Sequence, residues 1–138
     1  NSEPNGIVLR KLKQANPNLT LGHSSYFAFA AELASKILEG PLKEIRHACE
    51  AEVSMMLHIH PELVRVDKLR DDGLYPEPKT LGMVYHFDEQ TDKGSFGYAT
   101  LASASKGKLL LDAAIDGAAK QLKAIHESVM LLERPRIS

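Results

Sequence analysis

The chain has 138 residues, with 17 Lys plus Arg against 18 Asp plus Glu and a formal net charge of −1. That length fits one domain with a real core and leaves no room for two, while balanced charge without a basic stripe argues against a nucleic-acid partner. A single cysteine, Cys49, excludes an internal disulfide, and no run of about 18 apolar residues is present to span a bilayer, so a soluble, reducing, cytoplasmic setting is expected.

The sequence opens at Asn1 with neither an initiator Met nor a signal-peptide pattern, which sets the expectation that further chain lies upstream. Asn1 to Gly6 is turn chemistry, and the apolar spacing of Ile7, Val8, Leu9 and Leu12 predicts a short helix over 7–14, ended by Asn16-Pro17. Leu19-Thr20-Leu21 is a brief strand candidate. Ser24 or Ser25 can cap a helix from about Tyr26 to Leu38, stopped by Gly40-Pro41. A second helix is predicted over 46–59 and closed by Pro61, with Glu62 to Val66 extending away from it. Asp71 to Lys79 reads as a loop, Leu81 to Phe87 as a strand, Asp88 to Lys93 as a turn, and Ser95 to Tyr98 as a returning strand. From about Ser103 to Ile125, apolar residues recurring every four predict a long amphipathic helix, with Ser103 or Ser105 placed to cap it. Short strands interleaved with helices argue for a layered α/β domain with too few strands for a complete sheet.

The densest cluster of reactive groups is His47-Ala48-Cys49-Glu50-Ala51-Glu52-Val53-Ser54. In a helix over 46–59, Glu52 shares its face with Ala48, Met55, Met56 and Ile59, the stripe expected to be buried. A buried carboxylate there needs a cation, a metal or a set of donors, because leaving it unpaired costs several kcal/mol or forces it to protonate. His47 suits proton transfer, since an imidazole ordinarily titrates near neutrality. Glu50 falls on a different face, beside Arg46, Ser54 and Leu57, where solvent or a local ion pair is expected. Nothing in the sequence activates Cys49, which reads as packing. His58 and His60 sit two apart and so point to nearly opposite sides of a helix, unlike a helical chelate. His23, between a strand candidate and a helix start, is a further site candidate, as are Tyr26 and His86. Gly94-Ser95-Phe96-Gly97-Tyr98 lacks a phosphate-binding fingerprint, and its glycines suit a bend or a close backbone approach.

Two blocks resemble the creatininase family. Residues 47–57, followed by Pro61-Glu62-Leu63-Val64, are similar to its signature His-Ala-Gly-x-x-Glu-Thr-Ser, apolar helix, then Pro-x-x-Val. Residues 99–108 resemble the stretch before its last helix. Together the blocks span most of residues 47 to 125. The resemblance implies a layered creatininase-like α/β fold of which residues 1–138 form the C-terminal portion. Asn1 then matches the last Asn of the family's Asn-Gly-His-Gly-Gly-Asn turn. It also implies two divalent metals (Zn, Mn or Fe), held mostly by a Glu, a His, an Asp and that turn's His in an N-terminal half expected outside this sequence. His47 matches the residue serving substrate binding and proton transfer, and Glu52 the acidic residue at the second metal. The sequence departs from the family pattern at Cys49 for Gly, Val53 for Thr, and Tyr98-Ala99 for Asp-Pro.

The function implied is metal-dependent opening of a cyclic amide or lactam, with the N-terminal half of the same enzyme as partner and a homo-oligomer, often a hexamer, as the assembly. Two alternatives stand beside it. One is hydrolysis of a cyclic polyol-derived ketone or lactone, with His23, Tyr26 and Tyr98 lining a sugar-like pocket. The other is a non-catalytic assembly module that has lost its metals.

Overall fold

A computed structural model describes residues 2–74 and 85–132 of the chain. The chain divides into two compact units, Asn1–Phe29 with Ala114–Ser138, and Ala30–Ala113. Four α-helices run in chain order: α1 (Ser2–Ala15), α2 (Tyr26–Ile37), α3 (Glu50–Ile59) and α4 (Ala104–Leu132). Two short strands, β1 (Asp71–Asp72) and β2 (Gly97–Tyr98), complete a helix-rich α/β arrangement. Among the described residues, no helix is long and apolar enough to cross a membrane.

In the first unit, α1 begins at Ser2, several residues ahead of the helix expected at 7–14. Pro4 is no obstacle there, because the first N–H groups of a helix have no carbonyl partner to lose. The end falls where Asn16-Pro17 placed it. Asn16 donates from its backbone N–H to Leu12 O at 2.9 Å, and the Lys13 ammonium closes the turn by donating to Pro17 O and Leu19 O, each at 2.6 Å. The strand expected at Leu19-Thr20-Leu21 does not form. The segment is exposed coil, and a lone extended segment gains nothing without a neighbour to pair with. The part of α4 in this unit comes close to Phe29, since a Cβ on Gly117 would lie 2.7 Å from the Phe29 Cβ.

The second unit holds most of the core. Ala30, Ala34 and Leu38, four apart, are buried, with Ala51 and Met55 of α3, Ala99, and Leu110 of α4. Small residues let backbones approach: a Cβ on Gly107 would overlap the Ser54 carbonyl oxygen, so α4 lies directly on α3. The Ser54 hydroxyl accepts the Ser103 N–H at 3.0 Å, and Ser103 in turn accepts the Lys106 N–H at 3.4 Å, capping α4 as expected.

Strands β1 and β2 pair antiparallel, Asp71 with Tyr98 and Asp72 with Gly97. The partner of the 95–98 segment is therefore β1, inside the stretch read as loop. The strand expected at 81–87 lies mostly outside the described residues, and Phe87 itself belongs to a 3-10 turn, Phe87–Glu89. The extension expected at 62–66 is instead a pair of 3-10 turns, Pro61–Leu63 and Val66–Lys68.

Asp72 organises the loop before β2. Its carboxylate accepts N–H groups from Gly73 at 2.7 Å, Asp92 at 3.0 Å and Lys93 at 2.7 Å, and the Thr91 hydroxyl at 3.0 Å. The Asp92 bond leads these donors, which together outweigh burial and hold the Asp72 pKa at about 2 instead of 3.8.

Candidate active site at the start of α3

Helix α3 begins at Glu50, not at Arg46. Ala48 has φ of 48°, a left-handed conformation that a right-handed helix cannot contain. Cys49 follows in extended conformation, φ −85° and ψ −175°, as the residue before the first turn. That geometry suits any L-residue, which explains how Cys replaces the Gly of the resembled signature. Its thiol is buried and accepts the Arg46 N–H at 3.2 Å, the packing role expected of it.

The packing of α4 at Ser54 decides which face of α3 is inside. Glu50, Ala51, Ser54 and Met55 are buried, whereas Met56 and Ile59, expected on the buried stripe with Glu52, are 39% and 46% exposed. The fully enclosed carboxylate of α3 is Glu50, only 3% exposed, where solvent or a local ion pair was expected; it is paired, but with a distant residue. Glu50 accepts N–H groups from Glu39 at 2.9 Å and Gly40 at 2.9 Å, and the Lys106 ammonium at 2.6 Å. Burial pushes the Glu50 pKa up, but Lys106 and the two backbone donors outweigh it and leave the group below its ordinary 4.5. Lys106 responds in kind: burial lowers its pKa, and Glu39 and Glu50 more than restore it. Lys106 also donates to Leu101 O at 2.7 Å. This cluster ties the start of α3 to α4 and to the turn after α2.

Glu52 is half-buried. Its Oε2 accepts the Ala48 N–H at 2.5 Å, folding the carboxylate back over the entry to the helix as in one arm of a capping box. His47 is exposed and held from two sides. Its carbonyl accepts the Phe96 N–H at 2.8 Å, and its ring meets Phe87 edge to face at 5.4 Å. One short segment therefore presents an imidazole outside and a carboxylate folded inward, on a backbone pinned at both ends.

The other candidates are more dispersed. Tyr98 is half-buried with its ring against Gly40, where an added Cβ would come within 2.5 Å of it. His23 and Tyr26 belong to the first unit, whereas His47, Glu52 and Tyr98 belong to the second. His23 borders a depression of about 420 Å³ with Arg10, Lys13 and Leu21. The Tyr26 ring stacks edge to face on Phe27 at 4.2 Å. His86 heads the 3-10 turn at Phe87, its N–H donating to Glu89 at 2.6 Å. His60 pairs with Glu62 at 3.0 Å on the surface.

Among the described residues, no group of three or more His, Cys, Asp or Glu is placed to hold a metal ion. A divalent ion requires several such ligands, so these residues do not make a metal centre by themselves. Glu52 could offer one carboxylate to a centre built with others.

A family model named Creatininase, described as creatinine amidohydrolase, matches residues 1–122. No curated protein matches the chain. Among solved structures, a protein of Bacteroides fragilis provisionally described as a creatinine amidohydrolase is similar at 24% identity and a TM-score of 0.71, over 85% of this chain and 47% of its own. A creatinine amidohydrolase (creatininase) is similar at 26% identity and a TM-score of 0.62, over 85% and 47%. A mutant creatininase of the Zn-Zn type is similar at 27% identity and a TM-score of 0.62, over 86% and 48%. The chain thus spans about half the length of these solved structures.

Proposed function

Since this chain belongs to the creatininase family, we propose that it supplies part of the active site of a metal-dependent hydrolase that opens a small cyclic amide. The observation that carries this reading is the pinned segment at the start of α3, which presents His47 outward and folds Glu52 back on Ala48.

Ring opening adds the oxygen of water to the amide carbonyl carbon and breaks the C–N bond. The departing nitrogen must take up a proton, and the product is an open-chain acid bearing the freed amine. His47 donates that proton as general acid, its exposed imidazole being free to meet substrate and its backbone fixed by Phe96. Glu52 serves as one ligand in a divalent centre of Zn, Mn or Fe, with further ligands from outside the described residues. The partner is then the complementary half of the fold, within a homo-oligomer. Two facts support such a partner: the solved relatives contain about as much chain again, and among the described residues of the first unit only Ala114 is buried.

Creatinine ring opening by the complete enzyme containing this chain tests the assignment. We expect His47→Ala to lower kcat by about 10²-fold or more, the usual range for a general acid, with a smaller change in KM. Full activity in both His47→Ala and Glu52→Ala would overturn the reading.

A further inference from the structure

Lys106 and Glu50 form the most enclosed ion pair among the described residues, their side chains 13% and 4% exposed. An ammonium has three protons to donate, and three acceptors surround that of Lys106: Glu50 Oε1 at 2.6 Å, Leu101 O at 2.7 Å and Glu39 Oε1 at 2.8 Å. On the other side of the pair, Glu50 Oε1 accepts the Glu39 N–H and Oε2 the Gly40 N–H, each at 2.9 Å. Replacing a buried ion pair by apolar side chains of similar volume is often neutral or stabilising. Stability alone therefore does not call for two charges here, whereas the directional bonds of a fully satisfied network hold an element in one orientation.

The element held is the first turn of α3. Glu50 is its first residue, three after His47 and two before Glu52. At 3.6 residues per turn, Glu52 lies roughly 200° around the axis from Glu50, so restraining the rotation of Glu50 also aims Glu52. The chain leading into that turn rests on β2: a Cβ on Gly97 would lie 3.2 Å from the Cys49 Cβ, and His47 O accepts the Phe96 N–H at 2.8 Å. Within the turn, Glu52 Oε2 accepts the Ala48 N–H.

We propose that Lys106 and Glu50 are positioning residues, which act through the first turn of α3 to hold His47 and Glu52 in the arrangement that ring opening requires. The inference rests on the hydrolase reading for the reaction, but one of its two readouts, amide exchange, does not.

The test compares the complete enzyme containing this chain with two variants. Lys106→Met/Glu50→Gln leaves neither charge unpaired, and Glu50→Asp keeps the charge but withdraws it by one methylene. Cyclic-amide hydrolysis gives kcat and KM. Hydrogen exchange read by mass spectrometry compares the peptides holding Ala48 and Phe96 with the one holding Leu110, fully buried in α4. Misplacing a reacting group by about 1 Å costs up to about 10²-fold in rate. Both variants should accordingly lose about tenfold or more in kcat with little change in KM. The Ala48 and Phe96 peptides should exchange about tenfold faster than in the native enzyme, while the Leu110 peptide keeps its protection. A pair that serves stability alone predicts native kcat and native exchange at Ala48 and Phe96 wherever the melting temperature is recovered. Native kcat in both variants, or native exchange at Ala48 and Phe96 in both, would overturn the proposal. Should the double variant fail to fold, Glu50→Asp decides. Faster exchange at Ala48 and Phe96 in an enzyme that opens no cyclic amide would sink the hydrolase reading and leave the positioning of this segment standing. Native exchange in both variants, with hydrolysis lost in His47→Ala, would do the reverse.

Discussion

Glu50 and Glu52 are separated by a single residue, yet one is enclosed against Lys106 and the other closes the helix entry on Ala48. The difference is one of helix faces, since positions two apart point to nearly opposite sides. Ala48, left-handed, starts the helix four residues later than its apolar pattern implies, and α4 packs on the face that carries Ser54 and Glu50. The reactive cluster at 47–54 was legible in the sequence, although the buried, paired carboxylate was expected at Glu52 and is Glu50. Its partner was not legible, because Lys106 is 56 residues away and nothing local marks it. Removing one member of a buried ion pair costs about 3 kcal/mol or more, so Lys106→Met should lower the melting temperature clearly, and pairing it with Glu50→Gln should recover much of the loss. Unchanged melting in Lys106→Met would contradict the buried pair. Asp72 yields a prediction in pH. Its folded pKa of about 2 lies below the ordinary 3.8, so its stabilising effect is complete above 3.8 and fades as pH falls toward 2. Denaturant unfolding across that range should show the advantage of native protein over Asp72→Asn shrinking with acid, whereas parallel profiles would contradict the assignment.

At the level of elements, helices were easier to foresee than strands. The cap and stop signals around α2, the apolar spacing of α4 and the stop at Pro61 depend on local sequence; α2 falls close to where its caps placed it, and α4 starts as expected but runs past Ile125 to Leu132. Strand pairing is a long-range choice. β2 pairs with Asp71–Asp72, two residues whose acidic character gives no strand signal, because Asp72 gathers the 91–94 loop and Asp71 accepts the Thr100 N–H at 3.1 Å. The contact of α3 with α4 rests on Gly107, whose missing side chain admits the Ser54 carbonyl. Gly107→Ala should destabilise the protein by about 3 kcal/mol, at the upper end of ordinary overpacking, even though alanine favours helix. A neutral or stabilising effect in thermal unfolding would show that the helices separate easily.

Over the whole molecule, the chain is one part of a larger catalytic architecture in the reading proposed above. It shares the family of the creatininases and spans about half the length of their solved structures. The first unit exposes Ile7, Val8, Leu12, Ile115 and Leu122, each more than 40% accessible. The two signature-like blocks made the family readable from sequence, since a His and a Glu five apart must both match. The depression lined by Glu44, Arg46, Phe87, Gln90 and Phe96 was not readable, because these residues are scattered along the chain and are brought together by the turn at Phe87, the Phe87–Phe96 ring contact and the backbone bond from Phe96 to His47. The most direct test of the central claim is the divalent-metal content of the complete enzyme containing this chain, measured together with cyclic-amide hydrolysis. The account predicts that Glu52→Ala loses bound metal and activity together, while His47→Ala keeps the metal and loses activity. Metal content and hydrolysis unchanged in both variants would contradict it.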